Sequence, residues 1–305
     1  MAARAAAQDN WQVTYTDVGA DEYELVMEWD HNSTLSLVIE SGVSNPGNQD
    51  GSHDAGARQG VCSPDSTQVA PTDGQLYWMP RFYPREVPPE VTRKTGVQFA
   101  SVDWQPCGHK DVVICHAESH YDFHLYYVPL AELRAYSCTD PSPTCHLGRA
   151  RVDDDGTSDA SFFKLMRGNM PVSYGGSAVD FCVDPTSAMP ESGIHYGDRG
   201  ETTQEWRHPV TIMGSYNCTL TFFEPMVSWK WAKGATGASW PRWDSGEIVY
   251  DEKSYRPLPT SWSVEVSPTC QSVPGGNDCH VKITVRGQRC DGDAGCGPLP
   301  QTCGQ

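Results

Sequence analysis

The sequence has few basic residues and no long apolar run. Its 305 residues include 22 lysines and arginines against 39 aspartates and glutamates, for a formal net charge of −17. Surfaces that bind nucleic acid or anionic lipid need an excess of cationic side chains, so neither partner is expected. No stretch approaches the roughly 20 apolar residues that span a bilayer. Residues 1–8 lack the apolar centre of a secretory signal.

Sequence motifs of several common enzyme classes are missing as well. The chain has no G-x-S-x-G elbow, no Walker loop, no G-x-G-x-x-G and no H-E-x-x-H. It also lacks a Cys-x-x-Cys pair, which argues against a zinc ribbon or a thioredoxin-type site. We interpret Ser215, in a Gly-Ser-Tyr triplet, as a turn residue rather than a nucleophile.

Cysteine, in contrast, is abundant and widely spaced. The 12 cysteines are an even number, which is typical of a disulfide framework formed in an oxidising compartment. The last five cysteines lie in a Gly-, Pro- and Asp-rich tail with little apolar material, so crosslinks are expected to hold that tail together. Asn-x-Thr sequons at Asn32 and Asn217 also fit secretion. We therefore expect a secreted protein, or one from another oxidising compartment.

Period-two alternation of apolar residues dominates the rest of the chain and predicts β-strands. Helical patterns are confined to two short stretches, 130–136 and 161–167. The expected fold is mainly β, a β-rich α+β protein with a sheet or barrel-like core, long loops and a disulfide-rich C-terminal segment. The predicted strands are residues 11–16, 34–39, 97–104, 121–128, 219–224, 261–266 and 280–285.

Changes in composition along the chain suggest three regions. Residues 1–9 are expected to form a flexible N-terminus. Residues 10–235 are expected to form a β-rich domain that carries the histidine and acidic residues discussed next. Residues 236–305 are expected to form a linker followed by the cysteine-rich segment.

One predicted strand has an unusual polar face. If residues 121–128 are extended, His120, Asp122, His124 and Tyr126 share one face, while the alternate residues are apolar and face a core. Imidazole, carboxylate and phenol groups bind metals and transfer protons. Residues two apart on a strand are about 7 Å apart and residues four apart about 13 Å. His120 and His124 therefore share one ion only if a bulge or a strand end shortens the gap between them.

Other segments offer further ligands for a metal. His109 precedes the strand in a Gly-containing turn, and His195 follows another glycine. Glu224 lies among aromatic residues, where a carboxylate needs a cation or a hydrogen-bond donor. The predicted metal ligands are His109, His120, His124 and His195. Nitrogen and oxygen donors without a free thiolate favour zinc, then copper, iron or manganese.

The same residues resemble a bacterial family known only as a domain of unknown function. The shared motifs are W-x-P-x-G-H at 104–109, H-x-D-F-H-x-Y at 120–126, a Gly-x-His segment at 193–195, and Gly-Ser-Tyr followed by F-x-E-P-M at 214–226. Ser119 and Tyr121 depart from the family pattern, and Cys107, Cys115 and Cys218 are among its additions. The resemblance implies a β-rich domain with a polar His/Asp/Glu cluster and implies no particular reaction.

Two functional hypotheses follow from the cluster. The first is a zinc-type metal-dependent hydrolase or lyase that acts on a small extracellular substrate, with Glu224 or Asp122 as general base and Tyr126 positioning the substrate. The second is a non-catalytic secreted binding or structural protein whose histidine cluster stabilises the fold. Four tryptophans raise a glycan as a further candidate ligand, against a packing role in the core. These tryptophans are Trp229, Trp231, Trp240 and Trp243.

Overall fold

The computed structural model describes part of the chain, and this part holds most of the predicted strands. The described residues are 11–30, 81–105, 120–133, 170–189, 193–198, 208–217, 219–228, 231–232, 242–250, 258–267, 280–290 and 296.

Strands form nearly all of the regular structure. Helices in the described part of the chain include α1 (Pro89–Thr95) and α2 (Leu130–Leu133). The strands are β1 (Trp11–Asp17), β2 (Glu22–Asp30), β3 (Arg81–Glu86), β4 (Phe99–Gln105), β5 (His120–Tyr126), β6 (Pro171–Tyr174), β7 (Ser177–Ala178), β8 (Phe181–Met189), β9 (Gly193–Asp198), β10 (Val210–Tyr216), β11 (Thr219–Ser228), β12 (Arg242–Asp244), β13 (Ile248–Tyr250), β14 (Pro259–Val266) and β15 (His280–Gln288).

The strands form three antiparallel sheets. The first, called the outer sheet here, has the order β1-β2-β15-β14-β12. The second, called the central sheet, has the order β3-β4-β5-β11-β10-β9-β8, and a small third sheet has the order β13-β6-β7. The sequence predicted either a sheet or a barrel-like core. Within the described residues all three sheets are open, so the prediction of a sheet is confirmed.

Most strands predicted from alternation are present. Strands β1, β4, β5, β11, β14 and β15 coincide with predicted strands, with bounds that differ by a few residues. The short helix expected at 130–136 begins at Leu130, and α2 ends at Leu133. The strand predicted at 34–39 and the helix predicted at 161–167 lie outside the described residues.

Helix α1 was not predicted, although its ends follow ordinary rules. Pro89 occupies the first turn, where the missing amide hydrogen costs no helical hydrogen bond. Gly96 ends the helix with φ of 76°, a left-handed conformation that glycine adopts without a Cβ clash, and its amide donates to the carbonyl of Thr92. The helix joins β3 to β4.

The main core lies between the outer sheet and one face of the central sheet. Trp29 of β2 packs edge-on against Tyr121 of β5, with ring centroids 6.2 Å apart. The indole Nε1 of Trp262 on β14 donates a hydrogen bond of 2.7 Å to the hydroxyl of Thr211 on β10. The apolar face of β5 therefore points to the outer sheet, and its polar face points to the other side.

Strands from both ends of the chain share the outer sheet. β15 lies between β2 and β14, so strands from before and after residue 236 pair directly. The predicted division at residue 236 stays a prediction. A disulfide joins Cys290 to Cys296 just after β15, which confirms crosslinking in the C-terminal segment. The amides of these two cysteines donate to the carbonyls of Lys94 and Arg93 at the end of α1.

Candidate functional site

The polar face of β5 is buried. His120, Asp122 and His124 alternate with the core residues Tyr121 and Phe123 along the strand, as a period-two pattern requires. These polar residues expose no more than 5% of their surface, so each is removed from bulk water almost as fully as the apolar neighbours. The predicted strand with an imidazole and carboxylate face is therefore present.

Neighbouring strands bring further polar groups to this face. Across β4, Ser101 pairs with His124 and Asp103 pairs with Asp122. Across β11, the register pairs Phe222 with Tyr126 and Met226 with Asp122, which places Glu224 opposite His124. We call five side chains the acid–histidine cluster. They are Asp103, His120, Asp122, His124 and Glu224.

His124 lies between two carboxylates. Its Nδ1 is 2.8 Å from Oδ2 of Asp103, and its Nε2 is 3.5 Å from Oε2 of Glu224. Within the part of the chain that is described, neither Nδ1 of His124 nor Oε2 of Glu224 makes a hydrogen bond of acceptable direction. The hydroxyl of Ser101 donates to the same Asp103 oxygen at 3.1 Å. The imidazole is thus close to both acids without being saturated by hydrogen bonds.

A second imidazole–carboxylate pair lies farther along β5. The Nε2 atom of His120 is 3.2 Å from Oδ1 of Asp122, and both side chains are almost fully buried. The described donors of the cluster therefore form one row of three, Asp103–His124–Glu224, and one pair, His120–Asp122. Among the described residues, no three His, Cys, Asp or Glu side chains are grouped around one point as the ligands of a metal ion would be.

Aromatic rings pack against the imidazole of His124. Tyr126 stacks on Phe99 with ring centroids 4.4 Å apart and on the imidazole of His124 at 5.1 Å. The ring of Phe222 meets the His124 imidazole edge-on at 4.9 Å. These rings fix the plane of the imidazole and keep its surroundings apolar.

Burial controls the protonation of the cluster. Desolvation lowers the pKa of His124 to about 3, so its imidazole is neutral near pH 7. Desolvation raises the pKa of Glu224 well above its ordinary value, and the charges of Asp122 and Asp103 raise it further. Burial, followed by the charges of Asp103 and Glu224, also raises the pKa of Tyr126, which keeps the phenol protonated.

The three acidic residues of the cluster are buried, each with 3% or less of its surface exposed. Of the described residues, no lysine or arginine is buried. Buried charge needs a counter-charge or neutralisation by a proton. Among the described groups, protons and the imidazoles can help to neutralise this site, and a bound cation would do the same.

Other residues predicted for the site have different positions. His109 lies outside the described residues. His195 is half-buried on β9, and its ring packs against Phe222 with a centroid distance of 5.0 Å. Because Phe222 also contacts His124, its ring lies between the two imidazoles. Glycine at position 214 makes this arrangement possible, since a Cβ there would overlap the Phe222 ring.

The sequence interpretation missed Asp103 and misplaced Ser215. Asp103 falls in a correctly predicted strand, but its place beside His124 depends on the register between β4 and β5. Its alternation with Ser101 was the available signal. Ser215 lies within β10 and not in a turn, because a bulge after Gly214 lets the strand continue. Its hydroxyl is 2.9 Å from that of Tyr196.

Of the four tryptophans considered for glycan binding, the two in the described residues pack against other side chains. Trp243 stacks with His208 at 5.8 Å and contacts Trp262 at 4.6 Å. Trp231 is partly buried against the main core. Trp229 and Trp240 lie outside the described residues, and a glycan partner stays a prediction.

Together the fold and the cluster define an antiparallel β-protein that buries carboxylates and imidazoles on one face of its central sheet. No protein-family model matches the chain, and neither the curated proteins nor the solved structures provide a match. The resemblance to an uncharacterised bacterial family therefore stays a prediction from the motifs. Among the described residues, no helix is both long and apolar enough to cross a membrane.

Proposed function

We propose that the acid–histidine cluster binds a divalent transition metal, with zinc as the first candidate. The observation that carries the proposal is the position of His124 between Asp103 and Glu224 in a buried site without a buried lysine or arginine among the described residues. A cation would neutralise carboxylates that are otherwise costly to bury. Imidazole nitrogen and carboxylate oxygen are ordinary zinc ligands.

The spacing of the donor atoms supports this proposal. Ligands with bonds of about 2.0–2.2 Å at a tetrahedral angle lie about 3.4 Å apart. Nε2 of His124 and Oε2 of Glu224 are separated by 3.5 Å, too far for a good hydrogen bond but suitable for two ligands of one ion. Asp103 lies near Nδ1, where a carboxylate commonly orients a metal-binding imidazole.

The proposal extends to catalysis: with its metal bound, the protein would act as a hydrolase or lyase on a small extracellular substrate. Zinc with an open coordination position lowers the pKa of its bound water to about 7. The two candidate bases are Glu224, 3.5 Å from Nε2 of His124, and Asp122, 3.2 Å from Nε2 of His120. Tyr126, which stacks on His124, is the candidate for positioning the substrate. Burial raises the pKa of Glu224 and so favours its protonated form, whereas only the deprotonated carboxylate can act as a base.

A second candidate is a non-catalytic secreted protein in which the cluster stabilises the fold. The low exposure of the cluster, at most 5% for any member, supports this alternative. A neutral imidazole between a carboxylate and a protonated carboxyl forms a network that needs no ion. A substrate also has little direct access to side chains this deeply buried.

Elemental analysis of the purified full-length chain separates the two candidates. We expect the purified chain to contain a transition metal in stoichiometric amount. EDTA should remove this metal and lower the melting temperature, and added zinc should restore the melting temperature. The variant His124→Ala should lose the metal. The matched control is His280→Ala, because His280 is exposed on the outer sheet, away from the cluster.

The result that would contradict metal binding is equally specific. A wild-type chain without metal, whose melting temperature is the same in EDTA and in added zinc, supports the structural network instead. In that case His124→Ala lowers the melting temperature regardless of zinc. If His280→Ala loses the metal as readily as His124→Ala does, the metal binds at a different site.

A further inference from the structure

We infer that Asn217 is a site of N-linked glycosylation. Residues 217–219 form an Asn-x-Thr sequon whose middle residue is not proline. Such a triplet also arises by chance, and it indicates a glycan where the fold presents the asparagine on a surface turn. Glycosylation requires that the chain enter a secretory compartment, as its cysteines lead us to expect, and does not require that the acid–histidine cluster bind a metal.

The sequon lies at the tip of a tight β-hairpin. β10 ends at Tyr216 and β11 begins at Thr219, and these two residues pair with each other across the strands. The connection between the strands therefore spans positions 217 and 218. A connection this short turns at the end of the ladder, where backbone groups without a cross-strand partner are hydrated at the protein surface.

The exposure of the side chains agrees with this position. Asn217 and Thr219 are both partly exposed, whereas Ser215 and Leu220, one step farther into the hairpin, are buried. Burial thus ends where the sequon begins. A sugar attached to the Asn217 amide can extend into solvent without displacing these buried side chains.

The fold makes little other use of the groups that define the sequon. Asn217 has φ of 47°, a left-handed conformation that asparagine tolerates better than most residues. That conformation explains an asparagine in the turn but does not involve its amide nitrogen. Among the described residues, neither the side-chain amide of Asn217 nor the hydroxyl of Thr219 makes a hydrogen bond. Both groups are therefore available to a modifying enzyme.

The transfer forms one bond and breaks another. Nδ2 of Asn217 bonds to the anomeric carbon of a lipid-diphosphate-linked oligosaccharide, which is the donor that a secretory compartment supplies. The bond from that carbon to the diphosphate oxygen breaks, the lipid diphosphate leaves with the electron pair, and the amide nitrogen loses one proton. Because Asn217 lies beyond the pair formed by Tyr216 and Thr219, the β10–β11 ladder can form with the sugar attached.

Site-specific mass spectrometry tests this inference. The full-length chain is expressed in insect cells behind a cleavable signal peptide and recovered from both the medium and the cells. Peptide N-glycosidase in heavy-oxygen water converts each glycosylated asparagine to a labelled aspartate, which peptide mapping locates. The variant Thr219→Ala removes the sequon, and Asn217→Gly removes the acceptor while tolerating the positive φ. The matched control is Thr219→Ser, which keeps the hydroxyl.

We expect a labelled residue 217 in the wild-type chain and in Thr219→Ser. A mobility shift of one glycan on a denaturing gel should disappear in Thr219→Ala and in Asn217→Gly. A wild-type chain without label at residue 217, including one glycosylated only at Asn32, would overturn the inference. Because this result is read on the wild-type chain, it does not depend on how well a variant folds.

Metal analysis of the same preparation keeps the two proposals separate. A chain that is glycosylated at Asn217 but contains no metal would contradict the proposed metal binding and support the glycan. A chain that binds zinc through His124 but is unmodified at Asn217 would overturn only the glycan.

Discussion

His124 combines burial, two acidic neighbours and aromatic stacking. Its ring is held by Tyr126 and Phe222, and its two nitrogens approach Asp103 and Glu224. Desolvation favours the neutral imidazole because the charged form loses its hydration. The residue therefore presents a nitrogen lone pair within an apolar surrounding, which is the state that a metal ligand requires.

The pKa of His124 predicts how stability depends on pH in the absence of metal. Its folded-state pKa is about 3, against 6.5 for an ordinary histidine. Between these values the unfolded chain binds a proton that the folded chain does not, so stability falls as pH decreases from about 6.5 towards 3. The contribution of this histidine is on the order of a few kcal/mol.

The comparison that isolates this effect is urea unfolding of the wild-type chain and His124→Asn in EDTA, from pH 4 to pH 7. The wild-type chain should lose more stability than the variant as pH decreases. Equal slopes for the two proteins would mean that the pKa of His124 is the same in the folded and the unfolded chain, which would contradict the lowered pKa.

Glu224 has the opposite dependence on pH. Its pKa is raised in the folded state from 4.5, so the folded chain keeps a proton that the unfolded chain releases. Stability from this group is present below about pH 4.5 and is lost as pH increases through the folded pKa. In EDTA, we expect Glu224→Gln to gain stability relative to the wild-type chain as pH increases from 4.5 to 8, measured by urea unfolding. A constant difference would contradict the raised pKa.

At the scale of elements, alternation within a strand was predictable and pairing between strands was not. The polar face of β5 follows from its own seven residues. The approach of Asp103 and Glu224 depends on the registers that β5 makes with β4 and β11, and β11 begins about a hundred residues later in the chain. A single sequence carries no local signal for such long-range pairing, so the cluster was predicted only in part.

The contact between β10 and β11 should not tolerate a side chain at position 214. A Cβ at Gly214 would overlap the ring of Phe222, which contacts both His124 and His195. We expect Gly214→Ala to lower the free energy of unfolding by about 1–3 kcal/mol and to weaken zinc binding. Combining it with Phe222→Leu should recover part of the stability in a double-mutant cycle. If the changes in unfolding free energy of the two single variants simply add in the double variant, the Phe222 ring and position 214 do not interact.

At the scale of the whole molecule, the C-terminal segment connects the two larger sheets. The disulfide between Cys290 and Cys296 follows β15 of the outer sheet, and the amides of both cysteines bond to the end of α1, which leads into β4 of the central sheet. Arg289 adds an ion pair with Asp17 at 2.8 Å. The cysteine pattern predicted crosslinking here, but the docking on α1 depends on the folded arrangement.

Loss of this disulfide should destabilise the chain without removing the metal. The loop it closes is short, so the entropic contribution is about 2 kcal/mol. We expect Cys290→Ser/Cys296→Ser to show a lower urea midpoint, faster amide exchange in α1 and unchanged zinc content. An unchanged midpoint would mean that the hydrogen bonds to Arg93 and Lys94 hold the segment by themselves.

Anomalous diffraction at the zinc absorption edge, from crystals of the full-length chain grown with zinc, tests the central claim most directly. The account predicts an anomalous peak between Nε2 of His124 and Oε2 of Glu224. Zinc bound only at the molecular surface, with the His124–Glu224 pair free of anomalous density, would contradict it.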